Sequence, residues 1–132
     1  MKKIDVRTSS RTELIDITGL IQKAVDEVGL RDGLVVVFVP HTTAAVTINE
    51  NADPTVQRDI LYEINKVIPF QDGYHHLEGN SAAHIKASMF GSSETIIVQN
   101  GQLQLGTWQG IYFCEFDGPR HRRVWLQFIS ES

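Results

Sequence analysis

Residues 108–128 read Trp108-Gln109-Gly110-Ile111-Tyr112-Phe113-Cys114-Glu115-Phe116-Asp117-Gly118-Pro119-Arg120-His121-Arg122-Arg123-Val124-Trp125-Leu126-Gln127-Phe128. Two runs of β-branched and aromatic residues flank a four-residue turn, Asp117 to Arg120, which predicts antiparallel strands over 108–116 and 121–128. Side chains alternate across a strand. A hairpin closing with Phe116 opposite His121 therefore sets Glu115 against Arg122, Phe113 against Val124 and Ile111 against Leu126, all on one face. That face is apolar until it ends in a Glu and an Arg. A charged pair at such an edge either closes the core as an ion pair or forms the wall of a polar pocket.

Upstream, Thr95–Gln99 and Gln102–Leu105 flank Asn100-Gly101, whose two residues suit the positive φ angles of a type I′ hairpin. The unbroken run Leu34-Val35-Val36-Val37-Phe38-Val39 predicts a strand buried on both faces, with His41 emerging just beyond its end. Residues 2–8 and 12–17 read as short strands. Leu20, Ile21, Ala24, Val25 and Val28 recur at helical spacing between a Thr18 cap and a Gly29 stop. Asp53 before Pro54 announces a second helix through Val56, Ile60, Leu61, Ile64 and Val67, ended by Pro69. Beyond a glycine- and histidine-rich loop over 71–79, Asn80 or Ser81 caps a short third helix to Gly91, with His84 in its first turns.

The chain has 132 residues, a net charge of −4 and 42% hydrophobic residues, the profile of one globular domain. A chain of this size buries roughly 68% of its unfolded surface, so it needs no structural metal and any metal it holds is functional. Cys114 is the single cysteine; it excludes an internal disulfide and points to a reducing compartment, the cytoplasm. Its place in mid-strand reads as a buried thiol, and Trp108 and Trp125 read as core or interface anchors. No apolar run reaches the length of a membrane span. The acidic balance opposes a broad nucleic-acid surface, for which only the 120–123 cluster speaks.

The five histidines are His41, His75, His76, His84 and His121. None lies in a local metal signature such as His-Glu-x-x-His or a helical i, i+4 pair. Strand-end His41, loop His76 and helix-start His84 can nevertheless converge in space, and three imidazoles with one open position make a catalytic zinc site. Glu50 would then orient the metal-bound water or act as base. Arg120, Arg122 and Arg123 are placed to clamp a phosphate, or to stand solvated beside a turn.

The stretch His41-Thr42-Thr43-Ala44-Ala45-Val46-Thr47-Ile48-Asn49-Glu50-Asn51-Ala52-Asp53-Pro54 resembles the first signature of the YjbQ family, also called the secondary thiamine-phosphate synthase family. Tyr74-His75-His76-Leu77-Glu78-Gly79-Asn80 with Ala83-His84-Ile85-Lys86-Ala87-Ser88 resembles its histidine segment. Gly106-Thr107-Trp108-Gln109-Gly110-Ile111, followed by Glu115 and Arg122-Arg123, resembles its C-terminal signature.

The resemblance implies an α+β domain, a mixed sheet curled into a barrel-like sandwich with about three helices packed outside, assembled as a homotrimer. It implies metal ligation by His41, His76 and His84, catalytic roles for Glu50, Glu115 and Arg122, and His75 as a bystander. The family's named activity joins hydroxymethylpyrimidine diphosphate to thiazole phosphate and releases pyrophosphate. Such chemistry calls for a divalent metal, zinc or magnesium, and for arginines on a small phosphorylated substrate, here Arg120, Arg122 and Arg123. The alternative expectation is a non-catalytic trimeric module that binds a metal or an anion.

Overall fold

The computed structural model describes residues 1–131, and in it the chain folds as α+β with three helices set on two curled sheets. In chain order the elements are β1 (Lys2–Arg7), β2 (Glu13–Asp16), α1 (Thr18–Val28), β3 (Gly33–Phe38), β4 (Ala44–Glu50), α2 (Pro54–Val67), α3 (Ser81–Phe90), β5 (Ser93–Gln99), β6 (Gln102–Leu103), β7 (Gln109–Glu115) and β8 (His121–Ser130). One sheet has the order β1-β8-β3-β5-β6, the other β2-β7-β4, with antiparallel neighbours throughout.

Period-two alternation builds the core between the sheets. Val6, Val35, Val37, Ile96, Val98, Val124 and Leu126 point inward from the five-stranded sheet; Ala44, Val46, Ile111 and Phe113 meet them from the three-stranded one. The amphipathic helix α1 adds Ile21, Ala24 and Val25 to the same core. Its C-terminus is closed by Gly29 in the left-handed conformation, φ 70°, a position where a side chain would be strained. The other face of the three-stranded sheet is covered by α3, where Ala83 and Ala87 pack on Ala45, Cys114 and Phe116. These small alanines let the helix lie close to the strands. Val39 N–H to Ser92 O extends the β3–β5 pairing, and Val46 N–H to Gly91 O joins the two sheets along one rim.

Four features depart from the sequence reading. First, β7 and β8 do not pair: they lie in different sheets, and the Asp117–Arg120 turn is a corner that carries the chain from one to the other. Second, β4 went unread, because its Ala44-Ala45 start has weak strand propensity and the alternation of Val46 and Ile48 is short. Third, β3 is buried on one face only: Val35 and Val37 are sealed, whereas Leu34 and Val36 are half-buried and Phe38 is 39% exposed. Fourth, Thr18 does not cap α1. Its Oγ1 donates to Asp16 Oδ1 (2.6 Å) and accepts from Ile111 N–H (2.8 Å), tying the helix start to β7. The Asn100-Gly101 turn is as read, with φ of 53° and 76° and Gln99 opposite Gln102.

Gly19, the second residue of α1, has open space where a Cβ would stand. Gly19→Ala is expected to raise stability by about 0.5–1 kcal/mol through reduced backbone entropy of the unfolded chain. A urea titration checks it; a lower midpoint would refute the helix assignment at that position.

Candidate functional site

At the corner between the sheets, Glu115 ends β7 and Arg122 lies one residue into β8, both aimed inward where the apolar core stops. They are 0% and 5% exposed. Arg122 Nε donates to Glu115 Oε1 at 2.8 Å and Nη2 to Oε2 at 2.5 Å, a bidentate clamp. Thr8 Oγ1 donates to Oε1 (2.7 Å) and the Asp117 N–H to Oε2 (3.0 Å). Burial pushes the Glu115 carboxyl up, but the hydrogen bonds from Arg122, Thr8 and Asp117 outweigh it and hold it below the ordinary carboxylate value. A carboxylate with both oxygens engaged is a fixed counter-ion. Its geometry makes it a positioning group for Arg122.

Arg122 Nη2 also donates to Thr43 Oγ1 at 2.9 Å, immediately ahead of β4. Among the described residues nothing accepts from Nη1. The guanidinium lines a cleft of about 460 Å³ bounded also by His41, Thr42, His76, Asn80, His84 and Arg120. Arg120 is braced by Asp117, its Nε on the Asp117 carbonyl (2.7 Å) and Nη2 on Oδ2 (3.2 Å). Asn80 Nδ2 donates to the same Oδ2 at 2.9 Å, linking the start of α3 to the corner; its Oδ1 is buried with no partner among the described residues.

His41 Nε2 accepts the Arg123 N–H at 3.0 Å. Burial first, then the charge of Arg122, push its pKa below the usual value, partly offset by Glu115, so at neutral pH the ring is neutral with its proton on Nδ1. His76 and His84 meet edge to face, ring centroids 5.5 Å apart at 87°, with Glu78 Oε2 4.0 Å from His76 Nε2.

The structure thus brings His41, His76, His84, Arg120 and Arg122 to one cleft over Glu115. It does not bring Glu50 there. Glu50 ends β4, six residues or about 20 Å of strand from Ala44, where its carbonyl accepts from Tyr112 OH at 3.0 Å. Arg123 also faces elsewhere: alternation turns its side chain to the outer face, its Nε 3.4 Å from Asp5 Oδ1. Thr8, Thr43 and Asp117 were missed in the sequence, since short polar residues in loops carry no spacing signal.

The expected three-histidine metal centre is corrected by the geometry. Among the described residues no group of three or more His, Cys, Asp or Glu side chains is placed to hold a metal ion. The physical reason is that His41 spends its acceptor nitrogen on the Arg123 N–H, while His76 and His84 present ring edge to ring face rather than two converging lone pairs.

Residues 2–131 match the model of the family described as UPF0047 protein YjbQ-like. The chain belongs to the YjbQ/UPF0047 family. A UPF0047 protein of Methanocaldococcus jannaschii is 51% identical over 98% of this chain and 94% of its own, and the UPF0047 protein YugU of Bacillus subtilis is 48% identical over 98% and 99%. Among solved structures, an uncharacterized conserved protein of the YjbQ/UPF0047 family from Clostridium acetobutylicum is 60% identical with TM-score 0.96, covering 98% of this chain and 100% of that one. A protein of unknown function from Sulfolobus solfataricus is 33% identical with TM-score 0.93, covering 98% and 96%. The two solved structures are described as an uncharacterized conserved protein and a protein of unknown function, the two sequence relatives are named only as UPF0047 proteins, and none of the four is named for thiamine-phosphate synthesis or for metal binding. The synthase activity expected from the resemblance is corrected accordingly: membership in the family carries the fold and not that reaction.

Proposed function

We propose that the corner cleft binds a small ligand bearing a phosphate group. Arg122 carries this reading: it is held rigid by Glu115 and Thr43, it is almost wholly removed from water, and it keeps Nη1 for a ligand. A pre-oriented guanidinium loses little entropy on binding and suits a phosphate oxygen. Arg120 adds a second cation across the cleft, and neutral His41 adds an Nδ1–H donor. His76 and His84 line the same wall and supply imidazole nitrogens for proton transfer to a bound ester.

Titration calorimetry with inorganic phosphate and simple phosphomonoesters, at low salt, tests the reading. Saturable binding is expected, weakened about three- to tenfold by Arg120→Ala without a change in melting temperature, since Arg120 is exposed and its pairing is screened. No heat with any phosphate, or full affinity in the variant, would overturn it. Product formation abolished by His84→Ala would assign chemistry to the cleft; binding without product would assign a binding role.

The homotrimer is retained as part of the proposal. In support, α2 has no fully buried residue although it is amphipathic, and Tyr62, Val67 and Trp108 stand exposed. Sedimentation equilibrium should return three times the 14.8 kDa chain mass. A cytoplasmic location is proposed with it, supported by Cys114 being a free, buried thiol. No helix among the described residues is long and apolar enough to cross a membrane.

A further inference from the structure

The cleft continues past the two arginines. Its residues His41, Thr42 and His84 also line a second cavity, of about 360 Å³, which reaches Ser88, Gly91 and Ser92. Among the described residues no Asp, Glu, Lys or Arg lines that second space. Apart from the two imidazoles, its polar side chains are the hydroxyls of Thr42, Ser88 and Ser92, all three on exposed residues. Ser88 Oγ donates to the His84 carbonyl at 2.9 Å and keeps its lone pairs for a donor. Among the described residues the Thr42 and Ser92 hydroxyls have no hydrogen-bond partner. Ala44, Ala87 and Gly91 leave room between them, and a Cβ on Gly91 would meet nothing within 4 Å.

A third cavity, of about 520 Å³, shares His76 and His84 with the cleft and is walled by Tyr74, His75 and Ile85. Tyr74 spends its hydroxyl on the Pro69 carbonyl at 2.6 Å, so that wall presents ring and alkyl surface. It is divided from the arginines. His76 and His84 meet edge to face with ring centroids 5.5 Å apart, and the Glu78 carboxylate beside His76 repels a phosphate. Among the described residues no ring contact closes His41 on His84, so the passage toward Ser88 and Ser92 is the open one. We infer that the cleft takes the phosphate monoester of a small sugar or polyol, with its phosphate on Arg120 and Arg122 and its hydroxylated carbons along Thr42, Ser88 and Ser92. The ester oxygen then lies between His41 and His84. This names the alcohol for the phosphate reading and rests on that reading. Hydrogen-bond exchange decides between the two cavities. A hydroxylated chain returns partners to the three hydroxyls for the water they lose, whereas an alkyl or aromatic body would desolvate them without return. A site that pairs with ligand hydroxyls discriminates strongly against an analogue that lacks them.

Titration calorimetry on the full chain at low salt tests the assignment, with inorganic phosphate, ribose 5-phosphate and phenyl phosphate as the probes. Ribose 5-phosphate is expected to bind about tenfold more tightly than inorganic phosphate, and phenyl phosphate no more tightly than inorganic phosphate. In the double variant Ser88→Ala, Ser92→Ala, the ratio of ribose 5-phosphate affinity to inorganic phosphate affinity should fall by about threefold to tenfold, the effect of losing hydrogen bonds to neutral hydroxyls. Both serines are exposed, so the variant is expected to melt with the wild type. If it does not fold, the order of the three probes on the wild type decides alone. Phenyl phosphate binding more tightly than ribose 5-phosphate would overturn the assignment and place the ligand's body in the Tyr74 cavity. Equal affinity for all three probes, or an unchanged ratio in the variant, would also overturn it while leaving the phosphate reading intact. No binding of any probe would remove the phosphate reading, and the assignment with it.

Discussion

Glu115→Ala is expected to cost about 3–5 kcal/mol of folding stability, because it strands the buried Arg122 guanidinium without its counter-ion. Arg122→Ala should cost a similar amount by stranding the carboxylate, so neither variant is a clean probe of ligand binding. Urea unfolding measures both; a loss below about 1 kcal/mol would show that water reaches the pair. The double variant Glu115→Gln, Arg122→Met should recover much of the loss, since exchanging both partners removes the unpaired charge. The pH dependence has a definite sign. The folded-state carboxyl of Glu115 is held below its unfolded value of about 4.3, so the pair's contribution is complete above that value and is lost as pH falls through the folded one. Acid unfolding of the wild type should steepen below about pH 4, and Glu115→Gln should flatten that limb. An unchanged acid limb would mean that Glu115 is not the group being protonated.

Gly118→Ala is the second large effect, expected at about 3 kcal/mol or more. A Cβ there would lie 2.3 Å from the Ser10 carbonyl oxygen, 2.8 Å from Glu115 Cγ and 2.9 Å from Thr8 Oγ1. Backbone cannot step aside as a flexible side chain does. The Gly118 N–H also donates to Arg11 O at 3.0 Å, so moving the turn would pull the 8–12 loop with it. Thr8 Oγ1 holds Glu115, accepts the Arg120 N–H at 2.8 Å, and stands in the path of the new methyl. The variant is therefore expected to lose phosphate binding together with stability, as read by thermal melting and calorimetry on the same sample. Wild-type stability in Gly118→Ala would mean that the corner is looser than its contacts imply. Gly19→Ala, with nothing in its way, is the matched control.

The pairing of Glu115 with Arg122 shows how far local pattern reaches. Alternation correctly put both side chains on the inward face of their strands, and the hairpin register that brought them together was wrong. They meet because two inward faces oppose each other across a sandwich, which satisfies the same parity as two strands side by side. The histidines show the converse. Their residue types marked a polar cleft, and His41, His76 and His84 do share one, but spacing could not reveal that a backbone N–H already occupies His41 Nε2. Glu50, nine residues beyond His41 in the same stretch, is carried away by a strand that the low propensity of its two alanines conceals.

Period-two runs, helical spacing, the Asn100-Gly101 turn and the Gly29 stop are properties of neighbours along the chain, and they were legible because backbone sterics and burial act over a few residues. The division of β7 and β8 between two sheets, the half-open outer face of β3, the neutral tautomer of His41 and the burial of Lys86 against Asn65 come from contacts between segments tens of residues apart. Desolvation and charge depend on what surrounds a group in three dimensions. No spacing along the chain encodes that until the fold has assembled it.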